Sequence, residues 1–249
     1  MSPRIHLLKT SLLDYPGRIS SVLFFPGCNL RCPWCHNRDL VLGSETDNAL
    51  TADETLAFLR KRGSVLGGVV LSGGEPCLWD ELPDLICEIK KTKSSDRNGE
   101  LPVKLDTNGM FPFMLEKLFS REETCPDYIA LDLKIAPSRY RELLPLSSAD
   151  CGSLDPGEAL VQSAALIANA GIAHEYRTLV LPGACIGEND IEALAPLVDS
   201  SPWYFRPFRA GNCLESAWDS REEPAGVASS RMDILAKKAC EMGKNAKTK

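Results

Sequence analysis

The chain contains no long apolar run. Stretches such as 22–25 and 164–168 fall far short of the roughly 20 residues that a membrane span requires, so no membrane segment is expected. The first 20 residues also lack the apolar core of a secretory signal, because Arg4, Lys9, Asp14 and Arg18 interrupt each hydrophobic stretch. An excess of positive charge is missing too. Thirty-four acidic residues against 28 basic ones leave a net charge of −6. Nucleic-acid binding, which displaces counterions from phosphates with Lys and Arg, is therefore not expected. No repeat, low-complexity tract or Pro/Ser-rich linker marks a domain boundary. With 249 residues, 44% hydrophobic and 25% charged, the composition is that of an ordinary globular chain. That length suits one or two domains with a core that needs no staples.

Cysteine, by contrast, is abundant, with ten residues. Secreted disulfide scaffolds are short and follow a signal peptide, so the expectation is a cytoplasmic protein with reduced thiols. In that compartment clustered cysteines bind metal or do chemistry.

Short β-rich runs alternate with amphipathic helical stretches along the chain. Strands are expected at 20–25, 68–71, 103–106, 128–133, 174–181 and 203–207, brief and rich in Val, Ile, Leu and Phe as buried parallel strands are. Helices are expected between them. Thr51 to Glu54 forms a capping-box pattern for a helix reaching Arg62, with Gly63 as its stop. Asp155-Pro156 opens another that runs to Ala170, with Gly171 beyond it. Further helices are expected at 80–93, 112–119, 188–198 and 225–242, while 94–100 reads as a polar loop and 136–152 carries no assignable pattern. Six strands each followed by a helix indicate an α/β fold with right-handed crossovers. Six are too few for the closed eight-stranded barrel, which leaves an open partial barrel or a doubly wound sheet.

One group of cysteines is close in sequence: Cys28, Cys32 and Cys35, within Cys28-Asn29-Leu30-Arg31-Cys32-Pro33-Trp34-Cys35. The others, Cys77, Cys87, Cys125, Cys151, Cys185, Cys213 and Cys240, are isolated and are expected as small buried hydrophobes. Three thiolates in a loop after a strand can grip a soft metal centre. Structural zinc wants four ligands, the fourth from His36 or from far away. Three cysteines on a four-iron cluster leave one iron open, as a reactive cofactor needs. Spacing alone leaves both readings standing.

The Cys-x-x-x-Cys-x-x-Cys loop resembles the signature of the radical S-adenosylmethionine (SAM) enzymes. The segment from Asp14-Tyr15-Pro16-Gly17 through Phe25-Pro26-Gly27 to His36-Asn37 resembles, more narrowly, the glycyl-radical-enzyme activases, and among them the anaerobic ribonucleoside-triphosphate reductase activating proteins. The resemblance runs from about Lys9 to Cys213. It implies an α/β fold of the (β/α)6 partial TIM-type barrel kind, read as a single domain with an N-terminal extension at 1–17, the partial barrel at 18–210 and a helical tail at 211–249. It also implies that Cys28, Cys32 and Cys35 hold a [4Fe–4S] cluster and that SAM chelates the open iron. Trp34 would then lie beside the adenine, with His36 also at the cofactor.

The other strand ends extend this reading. Ser72-Gly73-Gly74-Glu75-Pro76 ends the second strand. Its glycines allow close backbone approach, and Glu75 offers a carboxylate to an ammonium group. Taken alone, the motif can also be read as a tight turn before a helix; the resemblance places Gly73, Gly74 and Glu75 at the SAM amino group. Asp106-Thr107 and Asp132-Leu133-Lys134 end the third and fourth strands. Asp132 and Lys134 share a strand face. A buried ion pair is the plain reading. The resemblance puts Lys134 on the SAM carboxylate and lets Asp132, Asp106 and Thr107 surround a monovalent cation. Arg177, on the fifth strand, can reach the SAM ribose or carboxylate, or can close a rim salt bridge. In the sixth, Arg206 and Arg209 can flank the site mouth.

The activity so implied is reductive cleavage of SAM at the cluster, giving a 5′-deoxyadenosyl radical that removes hydrogen from a glycine of a large partner. The expected partners are an anaerobic ribonucleotide reductase and a flavodoxin- or ferredoxin-type electron donor. Pyruvate formate-lyase activases carry a SAM-contacting histidine after the fifth strand, and 188–198 has none, which favours the reductase branch. No inserted ferredoxin-like cysteine set is present, unlike activases with extra clusters. Activation of another glycyl-radical enzyme, a small-molecule radical SAM reaction and a non-catalytic zinc or cluster module are the competing readings. The last leaves Gly74, Glu75, Asp132 and Lys134 without a role.

Overall fold

The β-branched and aromatic runs form strands, and the amphipathic stretches between them form helices. A computed structural model describes residues 4–42, 48–94, 99–145, 154–183, 185–221 and 223–249. Its elements in chain order are β1 (His6–Ser11), β2 (Ser20–Phe25), α1 (Arg38–Val41), α2 (Ala52–Arg62), β3 (Gly68–Gly73), α3 (Leu82–Lys90), β4 (Val103–Thr107), α4 (Pro112–Phe119), β5 (Tyr128–Asp132), α5 (Pro156–Asn169), β6 (Ala173–Val180), α6 (Glu188–Leu194), β7 (Trp203–Pro207), α7 (Ala225–Glu241) and β8 (Ala246–Thr248). The α/β reading holds, and all six expected strands are present as β2 to β7.

The chain divides into two units: Met1–Asn29, Asp39–Thr107 and Phe113–Ile129 form the first, and Leu30–Arg38, Asn108–Pro112 and Ala130–Lys249 the second. In the first unit β1 pairs antiparallel with β2, while β2–β3 and β3–β4 are parallel. Val22, Leu23 and Phe25 of β2, with Val69, Val70 and Leu71 of β3, are buried, as strands covered on both faces require. Thr51 and Glu54 complete the expected capping box of α2. In the second unit β6, β7 and β8 are parallel neighbours. There Asp155 caps α5 by accepting from the Gly157 amide at 2.9 Å.

Three features depart from the sequence reading. The 1–17 segment contains β1, whose residues do not alternate between buried and exposed and whose pairing with β2 shifts register between Leu8 and Ser11. The tail ends in β8, too short at three residues to leave a periodic signal. Part of the unassigned 136–152 stretch is a 3-10 helix, Pro137–Leu143. Residues 146–152 of that stretch, Cys151 included, and most of the expected 94–100 loop lie outside the described residues. Of the isolated cysteines, Cys77 and Cys213 are buried as expected. Cys87, Cys125 and Cys185 are half-buried, and Cys240 is exposed on the last turns of α7, which corrects the buried expectation for it.

Candidate active site

In the first unit, the end of β3 is laid against the start of the cysteine loop. The Gly74 amide donates to Phe25 O at 2.8 Å and the Glu75 amide to Gly27 O at 2.9 Å, so the pairing of β2 with β3 continues past both strands. Gly27 donates to Leu40 O, and the Trp79 indole to Pro26 O at 3.2 Å. A Cβ on Gly74 would overlap the Gly27 carbonyl, and Gly73 has φ +120° with the Phe25 backbone where its Cβ would stand. These glycines therefore serve the protein's own backbone packing, setting where Cys28 begins its loop. This close approach is between two stretches of the chain's own backbone.

Glu75 is buried at the end of this ladder. Its Oε1 accepts from the Cys77 amide at 3.0 Å and from the Thr107 hydroxyl at 2.9 Å. Burial first, and then the Glu75 charge, raise the Cys77 thiol well above its ordinary range, so Cys77 stays a neutral core group. Asp106 meets Lys104, whose ammonium is 2.5 Å away and whose side chain is only 2% exposed.

In the second unit the cysteine loop continues with Cys32 buried and Cys35 half-buried. The Cys35 amide closes a turn on Cys32 O at 3.0 Å, and the Arg31 amide donates to Leu143 O at 2.6 Å. The end of β5 carries the charges. Asp132 accepts from Arg177 Nε at 2.8 Å and from Lys134 Nζ at 3.3 Å. Burial alone would raise the Asp132 carboxyl, but Arg177 and Lys134 outweigh it and lower it to about 2. Burial would likewise lower Lys134. Asp132, followed by Cys32, Tyr140 and Cys35, instead raises it, so the ammonium is held charged. Arg177 is an ion-pair partner of Asp132, with a side chain only 14% exposed, and not a rim residue.

Several contributors escaped the sequence reading. Tyr140 is fully buried, and its hydroxyl accepts from the Lys134 amide at 3.0 Å and donates to Asp132 O at 3.4 Å. Trp34 packs against Trp218 with ring centres 5.3 Å apart, and His36 against Phe208 at 5.6 Å. Trp218 and Phe208 lie far along the chain from the residues they support, and Tyr140, six positions from Lys134, belongs to a stretch with no assignable pattern.

Among the described residues no three Cys, His, Asp or Glu side chains gather closely enough to hold one metal ion. A cluster takes each thiolate on a separate iron and does not need that convergence.

The family profile described as the Radical SAM superfamily matches residues 22–194. The chain belongs to the radical SAM superfamily. This radical SAM chain is 30% identical over 205 residues to a protein of Methanocaldococcus jannaschii that bears the name of a glycyl-radical enzyme activating enzyme, covering 80% of the chain and 76% of that protein. It is also 32% identical over 154 residues to the pyruvate formate-lyase-activating enzyme of Listeria monocytogenes, covering 59% of each. In structure it matches a radical SAM methyltransferase from Sphaerobacter thermophilus with a TM-score of 0.64 at 17% identity, over 100% of this chain and 77% of that one. That likeness is one of fold. Among the described residues no helix is long and apolar enough to cross a membrane.

Proposed function

We propose that this radical SAM chain activates a glycyl-radical enzyme, with an anaerobic ribonucleoside-triphosphate reductase as its target. The carrying observation is the charged end of β5, where Lys134 Nζ stands 3.3 Å from Asp132 Oδ2 and Arg177 holds the other carboxylate oxygen. The donor set fits the implied cofactors. Cys28, Cys32 and Cys35 offer three soft thiolates for a [4Fe–4S] cluster and leave an iron for SAM. Buried Glu75 offers an anion to the SAM ammonium group, and Lys134 a cation to its carboxylate. Trp34 and His36 supply aromatic surface, and Gly73 and Gly74 hold the loop that carries Cys28. When bound, this pair supplies one-electron reductive cleavage of SAM and removal of hydrogen from a glycine of the partner.

The chain's own residues bind and orient. Asp132 and Arg177 fix the Lys134 side chain, Tyr140 fixes its backbone, and Thr107 fixes one oxygen of Glu75. A monovalent cation at Asp106, Thr107 and Asp132 belongs to the same proposal. Lys104 already meets Asp106, and Arg177 meets Asp132, so added potassium should raise Tm only if a cation supplements these groups. The chain is taken as one radical SAM domain working in the cytoplasm with a flavodoxin- or ferredoxin-type donor.

The absence of histidine from α6 supports the reductase as target. The Listeria relative supports a second reading, a formate-lyase-type target. Anaerobic reconstitution with iron and sulfide should give an EPR signal that changes on adding SAM, and dithionite should release 5′-deoxyadenosine. A colourless, zinc-loaded protein that leaves SAM intact sinks both readings. Mixing with each glycyl-radical protein in turn shows which acquires the radical. Cys32→Ala should abolish cluster uptake and Cys87→Ala should not; equal behaviour would overturn this sorting of the cysteines.

A further inference from the structure

The segment from Asn212 to Trp218 contacts the cysteine loop at every level of structure. The Leu214 amide donates to Cys35 O at 2.9 Å and the Glu215 amide to Pro33 O at 3.0 Å, so the carbonyls on both sides of Trp34 are taken. The Asn212 side-chain amide donates to His36 O at 3.3 Å. Asn212 itself holds φ +55°, the only positive φ outside glycine among the described residues, a conformation kept where surroundings impose it. The Cys213 amide is anchored by Asp219 Oδ1 at 2.7 Å. Trp218 is buried against Trp34 at 5.3 Å and Phe208 at 5.8 Å, while Arg221 stacks on its outer face at 4.5 Å.

We infer that residues 212–218 are a strap that sets the cysteine loop before any cluster arrives, with Trp218 as a positioning residue for Trp34 and Asn212 for His36, on either side of Cys35. This rests on the reading of Cys32 and Cys35 as cluster ligands. A free loop loses backbone entropy at every residue that a ligand orders. A loop whose carbonyls and ring are already held has met that cost on folding, which raises affinity for what it binds. Supporting groups around metal ligands change affinity about 10–100-fold when removed.

The strap can be tested without a cluster. In cluster-free wild-type protein, hydrogen exchange should show the Leu214 and Glu215 amides protected, and in Trp218→Ala that protection should be lost. In reconstituted protein, Trp218→Ala should release iron to a chelator about 10–100-fold faster, with Trp218→Phe restoring most of the difference. Trp203→Phe, at a buried ring that packs on Phe205 (4.9 Å) and not on the loop, should lower Tm and leave the release rate alone. Asn212→Gly keeps the backbone conformation and removes only the side-chain bond, so it remains informative if Trp218→Ala fails to fold; a several-fold faster release is expected. Unprotected amides in the cluster-free wild type, or equal acceleration by Trp203→Phe and Trp218→Ala, would overturn the strap. Protected amides in a wild type that takes up no iron would leave the strap standing and overturn the cluster reading.

Discussion

The two units hold their motif residues by different means. In the first, backbone meets backbone: the Gly74 and Glu75 amides bond to the Phe25 and Gly27 carbonyls, and Glu75 is then fixed by an amide two residues away and by Thr107. In the second, side chains from other elements do the holding. Arg177 of β6 and Tyr140 of a 3-10 helix fix the end of β5, and the 212–218 segment fixes the cysteine loop. Backbone ladders tolerate no added atom but survive exchange of most side chains. A charge network has the opposite weakness, since the loss of one member leaves another uncompensated.

Four perturbations probe this contrast, from the largest expected effect downward. Asp106→Asn removes the anion beside Lys104, whose side chain is 2% exposed. Leaving a buried ammonium unpaired should cost about 3–5 kcal/mol in denaturant unfolding. A cost near zero would show that the first unit does not depend on this charge. Gly74→Ala should cost about 3 kcal/mol, because the clash is with the Gly27 carbonyl and backbone cannot rotate away as a side chain can. If Gly74→Ala were as stable as wild type, the ladder would be softer than a backbone contact implies.

For the second unit, Tyr140→Phe should cost about 2 kcal/mol by orphaning the Lys134 amide. It should also alter SAM affinity if Lys134 meets the SAM carboxylate. The smallest effect concerns pH. Asp132 has its carboxyl lowered from 3.8 to about 2 in the folded state, so its contribution is present above pH 3.8 and lost as pH falls through 2. Because the side chain is a third exposed, that contribution should be only about 1 kcal/mol. Acid unfolding of Asp132→Asn should therefore be shallower than wild type between pH 4 and 2; parallel curves would remove Asp132 from the charge network.

Legibility in the sequence follows the same division. The strands β2 to β7 announced themselves because buried parallel strands must be short and apolar, and the Cys28–Cys35, Gly73–Glu75 and Asp132–Lys134 groups because their chemistry lies within a few consecutive residues. Tyr140 did not, since its hydroxyl matters only where the fold brings it to the end of β5. Nor did Asn212, whose bond to His36 spans 176 positions. Cys240 was expected in the core and stands exposed, because its place in the last turn of α7, which no local pattern fixes, decides the outcome.

Composition and local pattern by themselves determined the α/β alternation, the grouping of three cysteines apart from the rest, and the residue types at the strand ends. Those depend on periodicity and on groups adjacent in the chain. The tertiary structure alone decided that the glycine pair serves the chain's own backbone, that Arg177 is spent on Asp132, and that a C-terminal segment grips the cysteine loop. These outcomes depend on atoms within a few ångströms of each other in space and far apart in sequence, where local propensity carries no information.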